Sequence, residues 1–310
     1  MPNDIPVYDT VAGKARPRLA TRPTVRPRQG LSMSALIHPK TITVDGLSVR
    51  YAEGGQDGPD AILMSPWPES VYAFEPAWPH LAAAAHLVAI DPPGFGGSDY
   101  RQTLMNPKAM GHFILNVADA LGLDNPHIVG PDIGTSSVLF AAAADQDRFR
   151  SIVVGSGGAA VPLDVTGVLK EWIEAPDLGP YRQIGGRKIV EIALGTIAGY
   201  TPSDEIREDY MSCYEGDRFA DTIPYAQSYR EYLPELAKLL PGIQTPVRIV
   251  AGADDQVVPG SNAEFLHERL PNAQVDLIAG AGHFCWEEKP AEYAALLTSW
   301  WDRANAASKS

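Results

Sequence analysis

The sequence predicts an α/β architecture: a mostly parallel central sheet with helices on both faces, interrupted by one inserted helical segment. Three observations predict it. Short apolar runs suited to buried strands ("AILMSP", "HLVAID", "HIVGPD", "SIVVGS", "VRIVAG") alternate with stretches of helical periodicity. The rhythm breaks once, over 160–238, which reads as helical and holds seven of the twelve tyrosines. The composition, 45% hydrophobic and 20% charged over 310 residues, is that of a globular chain with a large core.

Residues 1–40 precede the rhythm and read as a mobile Pro/Arg-rich arm ("GKARPRLATRPTVRPRQG"). "TITVDGLSVRYAEGG" is then two alternating runs around Asp45-Gly46, a hairpin that adds antiparallel strands at one edge. A strand at 61–66, a helical stretch at 73–85 and a strand ending in the Pro/Gly turn "DPPGFGGSD" follow. Next come a helix near 107–122, the strand "HIVGPD", the helix "GTSSVLFAAAA" and the strand "SIVVGS". After the break come "VRIVAGADD", the helix "NAEFLHERL", the strand in "AQVDLIAGAGHF" and a terminal helix over 290–304. Such alternation implies right-handed βαβ units. The core is therefore expected at 41–159 and 239–310, with 160–238 as a helical cap over the carboxyl ends of the strands, where α/β folds bind ligands.

Charge and cysteine usage narrow the class. The formal charge of -13 is uneven, because Lys14, Arg16, Arg18, Arg22, Arg26 and Arg28 crowd into the arm and leave the body acidic. An acidic body argues against nucleic acid as a partner. Cys213 and Cys285 lie far apart, without metal-ligand spacing, as expected in a reducing, cytoplasmic compartment. The sequence has neither the apolar core of a secretory signal nor a run of about 18 apolar residues for a membrane span. "GSGGAA" leads into Val161-Pro162 rather than a helix, so it is not read as a dinucleotide loop, and no H-E-x-x-H spacing occurs. No cofactor and no metal are expected; the partners are a small hydrophobic substrate and water. A homo-oligomer is compatible with this composition.

The chemistry concentrates in "GPDIG". Gly130 and Gly134 stand two positions either side of Asp132, where a strand turns sharply into a helix. That turn exposes the central side chain at a helix N-terminus, whose dipole favours an anion, and aims the Ile133 N–H at the same point. An N-cap aspartate is the plainer reading of the turn taken alone. Asp255 after one later strand and His283 after the last supply an acid and a histidine, giving nucleophile, acid and base in chain order.

With these pieces the chain resembles the α/β-hydrolase superfamily over roughly residues 41–304, through "DPPGFGGSD", "GPDIG", "GADDQVVP" and "GAGHF". The aspartate at the elbow is similar to the epoxide hydrolase and haloalkane dehalogenase branch. The resemblance implies a covalent alkyl ester on Asp132, hydrolysed by water that His283, oriented by Asp255, deprotonates. It implies a second oxyanion donor from the loop after the strand "AILM", where the family shows H-G-x-P. Ser65-Pro66-Trp67-Pro68 stands there instead, which makes the Trp67 N–H that donor and Trp67-Pro68 a candidate cis bond. Two lid tyrosines assist epoxide opening in such enzymes, and the matching positions are Tyr181 in "LGPYRQ" and Tyr229 in "QSYREY", with Tyr225 and Tyr232 as rivals. Dehalogenases of this branch place tryptophan directly after the nucleophile; here Ile133 follows, leaving Trp67 or Trp172 as indole donors. Epoxide hydrolysis is therefore the expected activity, with Trp67, Pro68, Trp172, Tyr225 and Phe284 lining the substrate site. Haloalkane or haloacid dehalogenation comes second. Ester or lactone hydrolysis, or ligand binding without turnover, remains open.

Overall fold

A computed structural model describes residues 37–55 and 58–307. The expected arm thus lies outside the described residues except at its end, where Ile37 is buried in the core and Lys40 opens the first strand. Strands β1 (Lys40–Val44) and β2 (Leu47–Gly55) close around Asp45-Gly46, whose φ values of 50° and 76° are those of a two-residue hairpin turn. Then follow β3 (Asp60–Met64), β4 (His86–Ile90), β5 (His127–Pro131), β6 (Ser151–Gly155), β7 (Val247–Gly252) and β8 (Ala273–Ile278). They form one eight-stranded sheet in the order β1-β2-β4-β3-β5-β6-β7-β8. The hairpin is antiparallel to β4, and every pairing from β4 onward is parallel. Strands β5, β6 and β7 are buried along their whole length, as parallel strands covered on both faces must be.

The expected helical stretch at 73–85 is instead a 3-10 turn (Val71–Phe74) and a single turn, α1 (Trp78–Leu81). Pro76 and Pro79 remove the backbone donors a continuous helix would need. Helix α2 (Pro107–Ala120) starts cleanly because Asn106 accepts the Ala109 N–H and Pro107 occupies the first turn. Helix α3 (Gly134–Ala144) is buried over most of its length between α2 and the sheet. Six helices lie between β6 and β7: α4 (Gly167–Glu174), α5 (Gly179–Ile184), α6 (Gly186–Leu194), α7 (Asp204–Cys213), α8 (Arg218–Gln227) and α9 (Tyr229–Leu239). After β7 come α10 (Ser261–His267), α11 (Cys285–Glu288) and α12 (Pro290–Ala307). Among the described residues no helix is long and apolar enough to cross a membrane.

The inserted helices are fastened to the core by polar contacts at one side. Arg50 on β2 donates through Nε to buried Asp91 at 2.5 Å and grips Asp209 on α7 through both terminal nitrogens at 2.7 and 2.9 Å. Arg218 on α8 donates to the carbonyls of Gly96 and Ser98. The Tyr214 hydroxyl accepts the Gly96 N–H at 3.1 Å and donates to the Glu69 carbonyl at 3.2 Å. These contacts hold the insert against the loops that leave β3 and β4.

Candidate active site

Asp132 sits between β5 and α3 with φ of 50°, a left-handed conformation costing a non-glycine residue roughly 1–3 kcal/mol. The surroundings enforce it. Its N–H donates to the Gly155 carbonyl and its carbonyl accepts the Thr135 N–H, both at 3.0 Å. A Cβ at Gly130 would stand 2.6 Å from Val138 Cγ2, so that glycine is sterically required. Gly134 is less constrained, since a Cβ there meets only the Met64 side chain at 3.6 Å. The tightest neighbour is Gly157, which the sequence motif does not include: a Cβ there would stand 2.1 Å from the Asp132 carbonyl oxygen.

The two carboxylate oxygens of Asp132 have different surroundings. Oδ2 accepts the Trp67 N–H at 2.7 Å, and the Ile133 N–H also acts on the carboxylate. Oδ1 lies 3.7 Å from His283 Nε2. Burial pushes the Asp132 carboxyl above the usual carboxylate range, opposed by His283 and the two N–H groups. His283 Nδ1 lies 3.0 Å from Asp255 Oδ2, while Asp255 Oδ1 accepts the N–H groups of Val257 and Val258 at 2.8 and 2.9 Å. Burial opposes the Asp255 charge, yet His283 and these N–H groups together hold its carboxyl below the usual range. Burial likewise opposes a charged His283, and the Asp255 and Asp132 carboxylates outweigh it, raising the imidazole above its ordinary value. Asp132, Asp255 and His283 therefore stand together, at 6%, 8% and 9% exposure, sheltered from bulk water.

Loop 65–68 delivers its N–H despite lacking a His-Gly pair. Ser65 N–H donates to the Ile90 carbonyl at 2.9 Å and Glu69 N–H to the Pro66 carbonyl at 3.0 Å, which fixes both ends. Trp67-Pro68 is cis. The Trp67 ring stacks on Phe219 at 5.0 Å and meets Trp172 edge-on at 4.9 Å, forming an aromatic wall shared by core and insert. Its indole Nε1 is buried without a hydrogen-bond partner among the described residues.

The candidate tyrosines separate. Tyr229, at the start of α9, is buried, and both the Asp132 carboxylate and the Ser136 hydroxyl act on its phenol. Its ring fits closely over Gly158, where a Cβ would stand 2.9 Å away. Tyr225 is committed elsewhere: its hydroxyl donates to the Ile133 carbonyl at 2.8 Å and pairs with Ser137 Oγ, bracing the elbow. Tyr181 on α5 is half-buried, and the charged group acting on it is Glu171, not Asp132. Tyr232 is also half-buried. Phe284 packs edge-on against His283 at 5.2 Å, and both line a cavity of about 280 Å³ with Gln256, Thr196, Ala198 and Glu288. Among the described residues no cluster of three or more His, Cys, Asp or Glu side chains is arranged to hold a metal ion.

A family model for the alpha/beta hydrolase family matches residues 59–296. The chain belongs to the alpha/beta hydrolase family. This alpha/beta hydrolase is 26% identical over 255 residues to the pimeloyl-[acyl-carrier protein] methyl ester esterase of Neisseria meningitidis, across 77% of this chain and 76% of that one. Among solved structures, the haloalkane dehalogenase DbeA of Bradyrhizobium elkani superposes with a TM-score of 0.74 at 19% identity, covering 87% of this chain and 99% of that one. The epoxide hydrolase CorEH superposes with a TM-score of 0.71 at 20% identity, covering 86% and 99%. At such identities the structural likeness establishes the shared fold.

Proposed function

We propose that this alpha/beta hydrolase opens small apolar epoxides to diols through a covalent ester on Asp132. The observation that carries the reading is the asymmetry of the Asp132 carboxylate, with Oδ2 held by Trp67 N–H at 2.7 Å and Oδ1 left facing His283. An already ionised carboxylate can attack a saturated carbon without a base. Oδ1 forms the new C–O bond as the epoxide C–O bond breaks, and the departing alkoxide takes a proton from Tyr229. His283 then removes a proton from water, whose oxygen adds to Asp132 Cγ. Negative charge builds on Oδ2, where the N–H groups of Trp67 and Ile133 already point. Collapse releases the diol and restores the carboxylate, and His283 returns its proton to Tyr229. The inserted helices act as the cap: Trp172, Phe219 and Tyr229 close over the elbow, and the aromatic wall suits an apolar substrate.

The same hole argues against direct acyl transfer, because Asp132 Oδ2 occupies the position a substrate ester oxygen would need. One observation favours a second reading, carbon–halogen hydrolysis: the buried Trp67 Nε1–H, without a partner among the described residues, is the kind of donor a departing halide uses. Single-turnover reactions of His283→Gln with epoxide and haloalkane panels test both. Capture of an epoxide as an Asp132 adduct, found by peptide mass, is the expected result. Adducts from haloalkanes alone select the second reading, and no adduct at Asp132 from either panel removes the nucleophile assignment.

A further inference from the structure

The loop that presents the Trp67 N–H runs through Pro68 into Glu69, and the segment that carries His283 runs on into Glu287. Both glutamates are buried, at 0% and 1% exposure. Trp286 Nε1 donates to Glu69 Oε2 at 2.9 Å, and the Tyr210 hydroxyl donates to Glu287 Oε1 at 3.1 Å. The two carboxyls lie within hydrogen-bonding reach of each other. Glu69 Oε1 and Glu287 Oε2 are buried and have no hydrogen-bond donor among the described residues.

Two carboxylates facing each other in a dry interior repel strongly unless a cation or a proton separates them. The charged groups that act on the pair are negative: Asp132 of the elbow on Glu69, and Glu288 of α11 on Glu287. The neighbouring titratable groups are Tyr210 on α7 and Tyr200 between α6 and α7, and Tyr200 also feels Glu75, which follows the 3-10 turn. The Trp286 ring that donates to Glu69 packs against the His283 imidazole with ring centroids 6.0 Å apart. A proton is what remains. We propose that Glu69 and Glu287 share a proton and so clasp the oxyanion loop to the histidine loop, making the pair a positioning element for Trp67 N–H and His283. An O–H to carboxylate bond is among the stronger hydrogen bonds, and here it joins segments 218 residues apart in the chain.

Burial pushes Glu287 up to about 7 and Glu69 well above the usual carboxylate range, so the pair keeps at least one proton at neutral pH. Because these values lie above those of the unfolded chain, the clasp strengthens the fold at lower pH and is lost as pH rises through the folded value of Glu69. The two loops then separate and turnover falls on the alkaline side.

The test is an infrared pH titration of the full-length protein, together with the pH profile of turnover for wild type, Glu69→Gln, Glu287→Gln and Glu69→Leu. In wild type the carbonyl band of a protonated, buried carboxylic acid persists above neutral pH and vanishes together with turnover. Either glutamine supplies a neutral donor to the remaining carboxylate, so that band and the alkaline fall both disappear. Glu69→Leu breaks the clasp at every pH and lowers kcat about tenfold or more. Absence of the band from wild type overturns the proposal, as does an unchanged alkaline fall in both glutamine variants. The infrared arm is independent of substrate, whereas the turnover arm rests on the epoxide reading. Failure of that reading therefore leaves the clasp testable on its own.

Discussion

The backbone N–H of Trp67 and the Asp132 side chain are joined by a 2.7 Å hydrogen bond. In the proposed ester mechanism this N–H is aimed at an oxygen that stays covalently part of the protein throughout the cycle. In water labelled with heavy oxygen, the first turnover should therefore place the label in Asp132 and leave the diol unlabelled. Mass analysis of the Asp132 peptide and of the diol reads this directly, and label in the first diol released would contradict ester formation. Asp132→Asn should lose at least about a thousandfold in kcat, since it removes the nucleophile.

Tyr229 and Tyr181 should behave differently under the same substitution. Tyr229→Phe removes the hydroxyl proposed to protonate the departing alkoxide and should lower epoxide-opening rates about a hundredfold, a usual scale for a lost general acid. Tyr181→Phe should change them less than about threefold. Tyr225→Phe should instead lower thermal stability by about 1 kcal/mol, because it removes the buried hydrogen bonds of the phenol to the Ile133 carbonyl and Ser137 Oγ. Stopped-flow alkylation rates and melting curves separate the three, and equal kinetic losses at 181 and 229 would contradict this assignment.

The pH dependence of ester hydrolysis follows from His283. It must be neutral to accept a proton from water, and the Asp255 and Asp132 carboxylates raise its pKa against burial. Decay of the ester in the wild-type protein should thus accelerate as pH rises through the imidazole's pKa, which Asp255 still raises once Asp132 is esterified. Asp255→Asn removes a raising charge while burial remains, so the acid limb should move to lower pH. The plateau should also fall, because the ring loses the group that orients it. Quenched-flow decay of the adduct between pH 5 and 9 gives the limb, and a limb that stays in place argues for a different base.

Arg50 bridges Asp91 in the core and Asp209 on α7. Arg50→Ala strands Asp91, which is wholly buried, and should cost about 3 kcal/mol by urea denaturation. Asp209→Asn leaves the Arg50–Asp91 pair intact and should cost about 1 kcal/mol, while making the 160–238 segment more sensitive to protease. Equal losses would mean that the bridge to α7, not the buried pair, carries the stabilisation.

Much of this was visible in the chain because the relevant signals are local. Asp45-Gly46 dictates its hairpin, the buried strands are short apolar runs, and Asp132, Asp255 and His283 each follow a strand. What stayed hidden depends on contacts between distant segments. No local pattern shows that Tyr225 would give its hydroxyl to Ile133 while Tyr229, one helical turn on, stays beside Asp132. Gly157 looks like any glycine in a loop until the Asp132 carbonyl is placed against it. Nothing local in the sequence pairs Glu69 with Glu287, and only the fold buries them together. Pro76 and Pro79 did announce the break at 73–85, but the apolar spacing around them was the louder signal.

The Asp132 charge, one of those that raise the His283 imidazole above its ordinary value, belongs to the very group that the first step of the proposed mechanism consumes. While Asp132 is a free anion, its charge favours the protonated imidazole over the neutral base. Once the carboxylate becomes a neutral ester, that charge is gone, the imidazole becomes more acidic, and the ring is released to act as a base. On the proposed mechanism the site carries its own sequence control: each half of the cycle sets the protonation state that the next half needs, without any moving part.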